Sequence, residues 1–300
     1  MTIVIGLAPN ERGAAAVHLG SMLARSISDD VVVATVVPTP WPPNPYRIDD
    51  EYLTLQEKAA KEALAVARSQ IGSDLSVELV THHAGSVSSG LLEVARQRSA
   101  TLVALGSSSM GVLGLVSLGG VAERILHSSD IPVTFAPRGF DTGTVNARVS
   151  RITVAFGRAD KDSDLLLTAA SVAEDIGATL RVACFAVRPM TVAVGSIEPE
   201  AEDLVVDEWF RDLERDIAQA LSTTENGSVA TRVDTVVGQG TSWAEALADI
   251  PWSDGEVLAI GTSSSAISRF FLGSHASKIV RNSSVPVFLM PRSLTGAVAG

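Results

Sequence analysis

The chain is poor in several things at once, and each shortage excludes a class of function. It has a single cysteine, Cys184, so it holds no internal disulfide and no multi-cysteine zinc site. Cys184 lies inside the apolar run RVACFAV and reads as a buried structural thiol. Basic residues are outnumbered, 23 against 34 acidic, which leaves a net charge of −11. A field of that sign opposes counterion-release binding to DNA or RNA, so nucleic acid is not an expected partner. No apolar run approaches the ~20 residues that span a bilayer. The opening MTIVIGLAPNER has no basic stretch before its apolar one, and reads as neither signal peptide nor anchor. A cytoplasmic protein with no membrane partner is expected.

What the chain does have is a core and a repeat. Of its 300 residues, 46% are hydrophobic, enough for a packed interior without staples. IVIGL at 3–7 is echoed by ITVAF at 152–156, TLVALGSSS ending at Ser109 by EVLAIGTSSS ending at Ser265, and DIPVTFAPR ending at Arg138 by SVPVFLMPR ending at Arg292. The offsets of 149 (Ile3 to Ile152), 155 (Gly106 to Gly261) and 154 (Arg138 to Arg292) residues describe two homologous domains, 1–138 and 151–292. The aperiodic GFDTGTVNARVS at 139–150 links them, and 293–300 is a tail.

Within each copy, apolar strands alternate with helical patterns. In the first, strands are expected at 3–7, 31–37, 76–82, 101–105 and 133–136. Helices are expected after Asn10 (in position to cap, with Ala16, Leu19, Leu23 and Ile27 at helical spacing), at 49–70, at 88–98 and up to about Ser128. The second copy repeats the order with strands at 179–187, 229–237, 257–260 and 287–290 and a helix over 199–221. Strands apolar on both faces imply a parallel sheet covered on both sides. The expected fold class is α/β: two tandem, Rossmann-like, doubly wound sheets of five parallel strands. In such sheets ligands bind beyond the carboxyl ends of the strands, where the winding reverses.

That position is taken by LGSSSMGVLGLVSLGGVAERIL at 105–126, a Gly/Ser-rich loop leading into a helix, with no basic residue between 99 and 123. Its glycines resemble a Walker A loop only superficially, because Val112 and Leu113 stand where Lys and Ser/Thr are required. GQGTSW at 238–243 fails as a dinucleotide fingerprint because Trp243 holds the third glycine's place; it reads as a strand-to-helix turn capped by Ser242. His82 and His83 are adjacent on a strand, point to opposite faces and make no metal site. No arrangement assigns a nucleophile, base and acid to one triad. The acidic helix carrying Leu204, Val205, Trp209, Phe210 and Leu213 reads as a solvated face over a core stripe. The Pro-rich 38–45, with Trp41 and Tyr46, reads as a solvent loop, a lid over the crevice being the alternative.

The GGVAERILHSSDIPV and GSHASKIVRNSSVPV segments, with the glycine loops before them, resemble the universal stress proteins in their tandem form. The resemblance covers both copies. It implies a nucleotide-hydrolase-like fold in which strands one and four meet at the switch point, with the last strands pairing so that the domains form a pseudo-dimer. It also implies ATP, with magnesium, on a G-x2-G-x9-G-[S/T] loop, and an Asp after strand one that holds the adenosine. The first copy keeps Gly106 and Gly119, with Ser107 between them. It has Ser109 for the second glycine, Gly120 for the hydroxyl residue and Ala8 for the Asp. The second keeps Gly261, Thr262, Gly273 and Ser274 and adds Arg269, but has Ser264 for glycine, a loop one residue shorter, and Gly157 for the Asp, with Arg158 and Asp160 close behind.

Two readings of different class stay open. One is a non-catalytic interaction or scaffold protein of the stress response, with degenerate nucleotide sites and an unidentified protein partner. The other is an ATP-binding sensor, with slow hydrolysis, using 261–274 above all. Association of two chains is compatible with either.

Overall fold

Runs of β-branched residues with no polar face must be buried on both sides, and the chain lays them side by side in one sheet. The computed structural model describes residues 2–9, 13–39, 47–157, 159–187, 208, 211, 212, 214–219, 221, 233–265 and 268–291. The first domain runs β1 (Thr2–Gly6), α1 (Ala14–Ile27), β2 (Asp30–Pro38), α2 (Arg47–Gln70), β3 (Val77–Ala84), α3 (Val87–Gln97), β4 (Leu102–Gly106), α4 (Gly120–Ser128) and β5 (Val133–Ala136). The second runs β6 (Arg151–Ala155), α5 (Ala159–Ile176), β7 (Thr179–Val187), β8 (Asp234–Gly240), α6 (Trp243–Ala248), β9 (Glu256–Ser265), β10 (Ser268–Phe271), α7 (Ser274–Asn282) and β11 (Val287–Pro291). Residues 208, 211, 212, 214–219 and 221 are also helical. The expected cap Asn10 and strand residues 229–232 lie outside the described residues, as do Leu204, Val205, Trp209, Phe210 and Leu213.

The strand order is β3-β2-β1-β4-β5-β11-β9-β6-β7-β8, with β10 paired to β9. Within each domain these ten strands are parallel, and the chain winds outward from the β1/β4 boundary in the first and the β6/β9 boundary in the second. The two sheets join where β5 meets β11 antiparallel, Thr134 facing Phe288, and the Thr134 hydroxyl donates to the Val287 carbonyl at 3.0 Å. Sheet edges that each domain would otherwise leave open are thereby paired.

Two apolar layers cover the sheet. Leu19 and Met22 of α1, Leu64 of α2 and Leu166 of α5 pack on one face; Leu91 of α3, Ile125 of α4, Leu247 of α6 and Val280 of α7 pack on the other. Cys184 is fully buried in β7. His82 and His83 leave β3 on opposite sides, the first bonding Glu93 of α3 at 2.9 Å and the second Glu57 of α2 at 3.0 Å.

The segment between the domains is pinned to α1. Thr142 N–H reaches His18 Nδ1 at 3.3 Å, Val149 N–H donates to the Ser26 hydroxyl at 2.8 Å, and the Arg148 guanidinium donates to the Arg25 carbonyl. Among the described residues, no helix is long and apolar enough to cross a membrane.

Candidate functional site

A parallel sheet whose neighbouring connections go to opposite faces leaves a crevice at the ends of the diverging strands. In the first domain that crevice is a cavity of about 340 Å³. Its floor is Gly6, Leu105 and Gly106, from β1 and β4; Leu7, Ala8 and Pro9 follow β1; Val36, Val87 and Leu91 form an apolar wall. Ser107, Ser108 and Ser109 on one side, Gly119, Gly120, Val121 and Ala122 on the other, and Gly13 and Ala16 at the start of α1 also line it. The five first-copy residues singled out from sequence, Gly106, Ser107, Ser109, Gly119 and Gly120, are therefore brought together on one cavity. The apolar wall was not singled out, although the apolar run of β2 and the Ser86 cap of α3 carried its position.

The loop between β4 and α4 holds its shape through its own backbone. The Ser107 hydroxyl donates to the Ala136 carbonyl at 2.7 Å and accepts from Ser117 N–H at 2.9 Å, while Ser108 N–H donates to the Ser117 carbonyl at 2.8 Å. Gly111 fits against this fold-back so closely that a Cβ there would lie 2.2 Å from Ser117 Cβ. Gly114 takes φ +81°, a conformation glycine adopts without steric cost. Among the described residues only Ser28 and Ser99 combine a side chain with positive φ, so Ser109 replaces the signature glycine without that strain.

Among the described residues, the cavity wall carries no charged side chain. Arg138 is brought to this loop by the tertiary structure: its Nη1 donates to the Gly111 carbonyl at 2.6 Å, and Arg138 does not line the cavity. At the far side Gly119 precedes α4 without a side-chain cap, so the unpaired N–H groups of the first helical turn supply the polar end of the cleft. Glu123 of the same turn approaches Arg281 of the second domain at 3.9 Å. Chemically the site offers an apolar wall, serine hydroxyls and backbone N–H donors. Among the described residues on its wall there is no general acid or base.

In the second domain the structure departs from the expected loop. Strand four does not stop at Ile260: β9 continues to Ser265 and β10 returns antiparallel to it, so Gly261, Thr262 and Ser264 lie in an extended strand. Thr262 is buried, and its hydroxyl donates to the Met290 carbonyl at 3.2 Å. The physical reason is pairing: β9 runs alongside β11 through Gly261 and Thr262, and its last residues are matched by the returning β10. Gly273 and Ser274 begin α7, again without a side-chain cap. Arg269 lies in β10; its side chain, that of Ser264, Arg158 and the side chain of Asp160 lie outside what is described. So do residues 40–46, with Trp41 and Tyr46.

GQGTSW turns into α6 as the capping pattern predicts. The Ser242 hydroxyl accepts from Glu245 N–H at 3.3 Å, and Glu245 accepts from Thr241 N–H at 2.8 Å. The bond from the Thr241 hydroxyl holds the Glu245 carboxyl below its usual range.

A further cavity of about 360 Å³ lies between the linker and the base of the second domain. Three of the four charged groups on its wall are already engaged, Arg138 with Gly111, Asp141 with His18 at 2.8 Å, and Glu256 with Arg181; Asp254 is the fourth. The Gly143 N–H and then His18 hold the Asp141 carboxyl below its ordinary range. Nothing there converges on a ligand.

The model of the universal stress protein family matches this chain twice, over residues 1–137 and 149–291. A universal stress protein of Mycobacterium bovis and one of Mycobacterium tuberculosis are each 36% identical to it over 296 residues, which cover 97% of this chain and 100% of theirs. A universal stress protein from Archaeoglobus fulgidus has a similar solved structure, with a TM-score of 0.60 across 97% of this chain and 98% of its own; at 17% identity that likeness concerns the fold alone.

Proposed function

The chain belongs to the universal stress protein family, and from that premise we propose that it is a non-catalytic, ligand-responsive interaction protein whose ligand site is the first-domain cleft. The ligand class is a nucleoside-sized molecule with an apolar ring and little or no phosphate charge. One observation carries this reading: a cavity of about 340 Å³ at the switch point with no charged side chain on its wall among the described residues. Its volume falls in the range of small-molecule sites. A triphosphate brings several negative charges for which the described wall residues supply no counter-ion, in a chain of net charge −11. A ring system meets Val36, Val87 and Leu91, and hydroxyls meet the serines and the first turn of α4.

The interaction role rests on the same loop. Met110, Val112 and Leu113 stand 91%, 67% and 72% exposed on its outer side. Clustered exposed apolar side chains of this kind mark contact surfaces. Occupancy of the inner side and contact on the outer side act on one short segment.

ATP sensing through 261–274 is the competing reading, and β9–β10 gives it a hairpin in place of a cradle. Melting curves with adenosine, AMP and magnesium-ATP separate the two. A saturable rise with adenosine that magnesium-ATP does not exceed supports the cleft reading. A rise with magnesium-ATP alone, removed by Arg269→Ala, supports the sensor and ends the proposal.

A further inference from the structure

The two clefts share one plan, so their walls compare position by position. Gly6 pairs with Ala34 and Ala155 with Ala183, which sets Phe185 of β7 where the first domain has Val36 of β2. Trp243 follows the Ser242 cap of α6 as Val87 follows the Ser86 cap of α3. His275 stands two residues after Gly273 at the start of α7, as Val121 stands two after Gly119 at the start of α4. In the first domain all three valines line the cavity.

In the second domain the three replacements are rings, and they touch. The Phe185 and Trp243 centroids are 6.1 Å apart with planes inclined at 47°, and those of Trp243 and His275 are 5.3 Å apart at 36°. Both separations fall within the contact range of aromatic pairs. Phe185 and Trp243 rest on the apolar core beneath, while His275 is exposed at the outer end. The ladder thus runs from the end of β7 to the first turn of α7, across the place where the first domain is open.

We infer that Phe185, Trp243 and His275 close the second cleft, so that the protein is a one-site molecule with Trp243 as the residue that decides it. Each valine offers a short fork, whereas the three rings bring a volume comparable with a nucleoside's base and ribose. A molecule entering there must lift Trp243 off both neighbours. The tandem repeat has therefore divided its work: one cleft receives, and the other is filled by its own side chains.

Thiol labelling of the full chain reads access directly, without any bound ligand, so it stands apart from what the first cleft holds. Leu105 lines the first cavity, and strand register makes Ile260 its counterpart. Leu105→Cys and Ile260→Cys are treated with a small neutral thiosulfonate, with buried Cys184 as common background. The expected result is that Ile260→Cys reacts at least about tenfold more slowly, through local opening only, and that adding Trp243→Val brings it level with Leu105→Cys. Valine is what the first domain carries at that place; if that variant melts abnormally, His275→Val at the exposed end of the ladder serves in its stead. Equal rates for the two single cysteines, or a slow Ile260→Cys unchanged by opening the ladder, overturns the inference.

Discussion

Glu256→Gln removes a charge from a buried polar cluster. The Glu256 side chain is fully buried at the start of β9, and the Arg181 side chain is 6% exposed. One carboxylate oxygen accepts from Arg181 and from the Thr153 hydroxyl; the other accepts from Ser253 N–H at 2.9 Å and its hydroxyl at 3.0 Å. Arg181 also donates to the Pro251 carbonyl at 3.2 Å and lies 5.4 Å from the Trp252 ring. Burial pushes the Arg181 guanidinium below its ordinary value, and Glu256 opposes that push. Breaking such a pair from one side leaves a buried charge unpaired and costs about 3–5 kcal/mol. At roughly 2–4 °C per kcal/mol for a domain of this size, melting should fall by about 10 °C. The first domain supplies the control, because Val4, Val32 and Thr101 occupy the places of Thr153, Arg181 and Glu256. Replacing the whole cluster by those three residues should cost far less than the single change, since apolar substitutes for a buried pair are often neutral. Calorimetry and urea unfolding measure both. A Glu256→Gln loss under about 1 kcal/mol, or a triple variant no better than the single one, would refute the reasoning.

The β4–α4 loop and the acid limb of stability give two further tests. Gly114→Ala should cost about 1–2 kcal/mol for its left-handed backbone, and Gly111→Ala should also abolish the ligand-induced rise in melting temperature, because its Cβ displaces Ser117. Unfolding midpoints and ligand melts check the pair. Asp74 and Glu78 have folded pKa values depressed by hydrogen bonds from Arg25 and Arg98. Their stabilisation is complete above the unfolded carboxylate value near 4 and is lost as pH falls through the folded values. Urea midpoints should thus hold from pH 7 to about 5 and drop below about 4, with Asp74→Asn flattening part of that drop.

The layered sheet was legible because its strands are apolar on both faces and occur twice. β2, expected at 31–37, spans Asp30–Pro38; β7 and β5 match their expected bounds. That the first-copy loop lines the switch-point cavity was legible too, since glycine spacing marks the loop and the strand order places it. What sequence concealed was set by tertiary partners. β9 runs past Ile260 because β11 and β10 pair with it, and no local propensity announces that pairing. Arg138 reaches Gly111 only once the loop has folded back. The aromatic ladder was present in the aligned repeats as Val36/Phe185, Val87/Trp243 and Val121/His275. Trp243 was read instead against a dinucleotide motif, where it appeared only as a missing glycine.

The most direct measurement is the stoichiometry of adenosine binding by equilibrium dialysis, for the native chain and for Val87→Trp, which places the second domain's ring in the first cleft. The account predicts one adenosine per chain and none in the variant. Two per chain, none in the native protein, or one that survives Val87→Trp would contradict it.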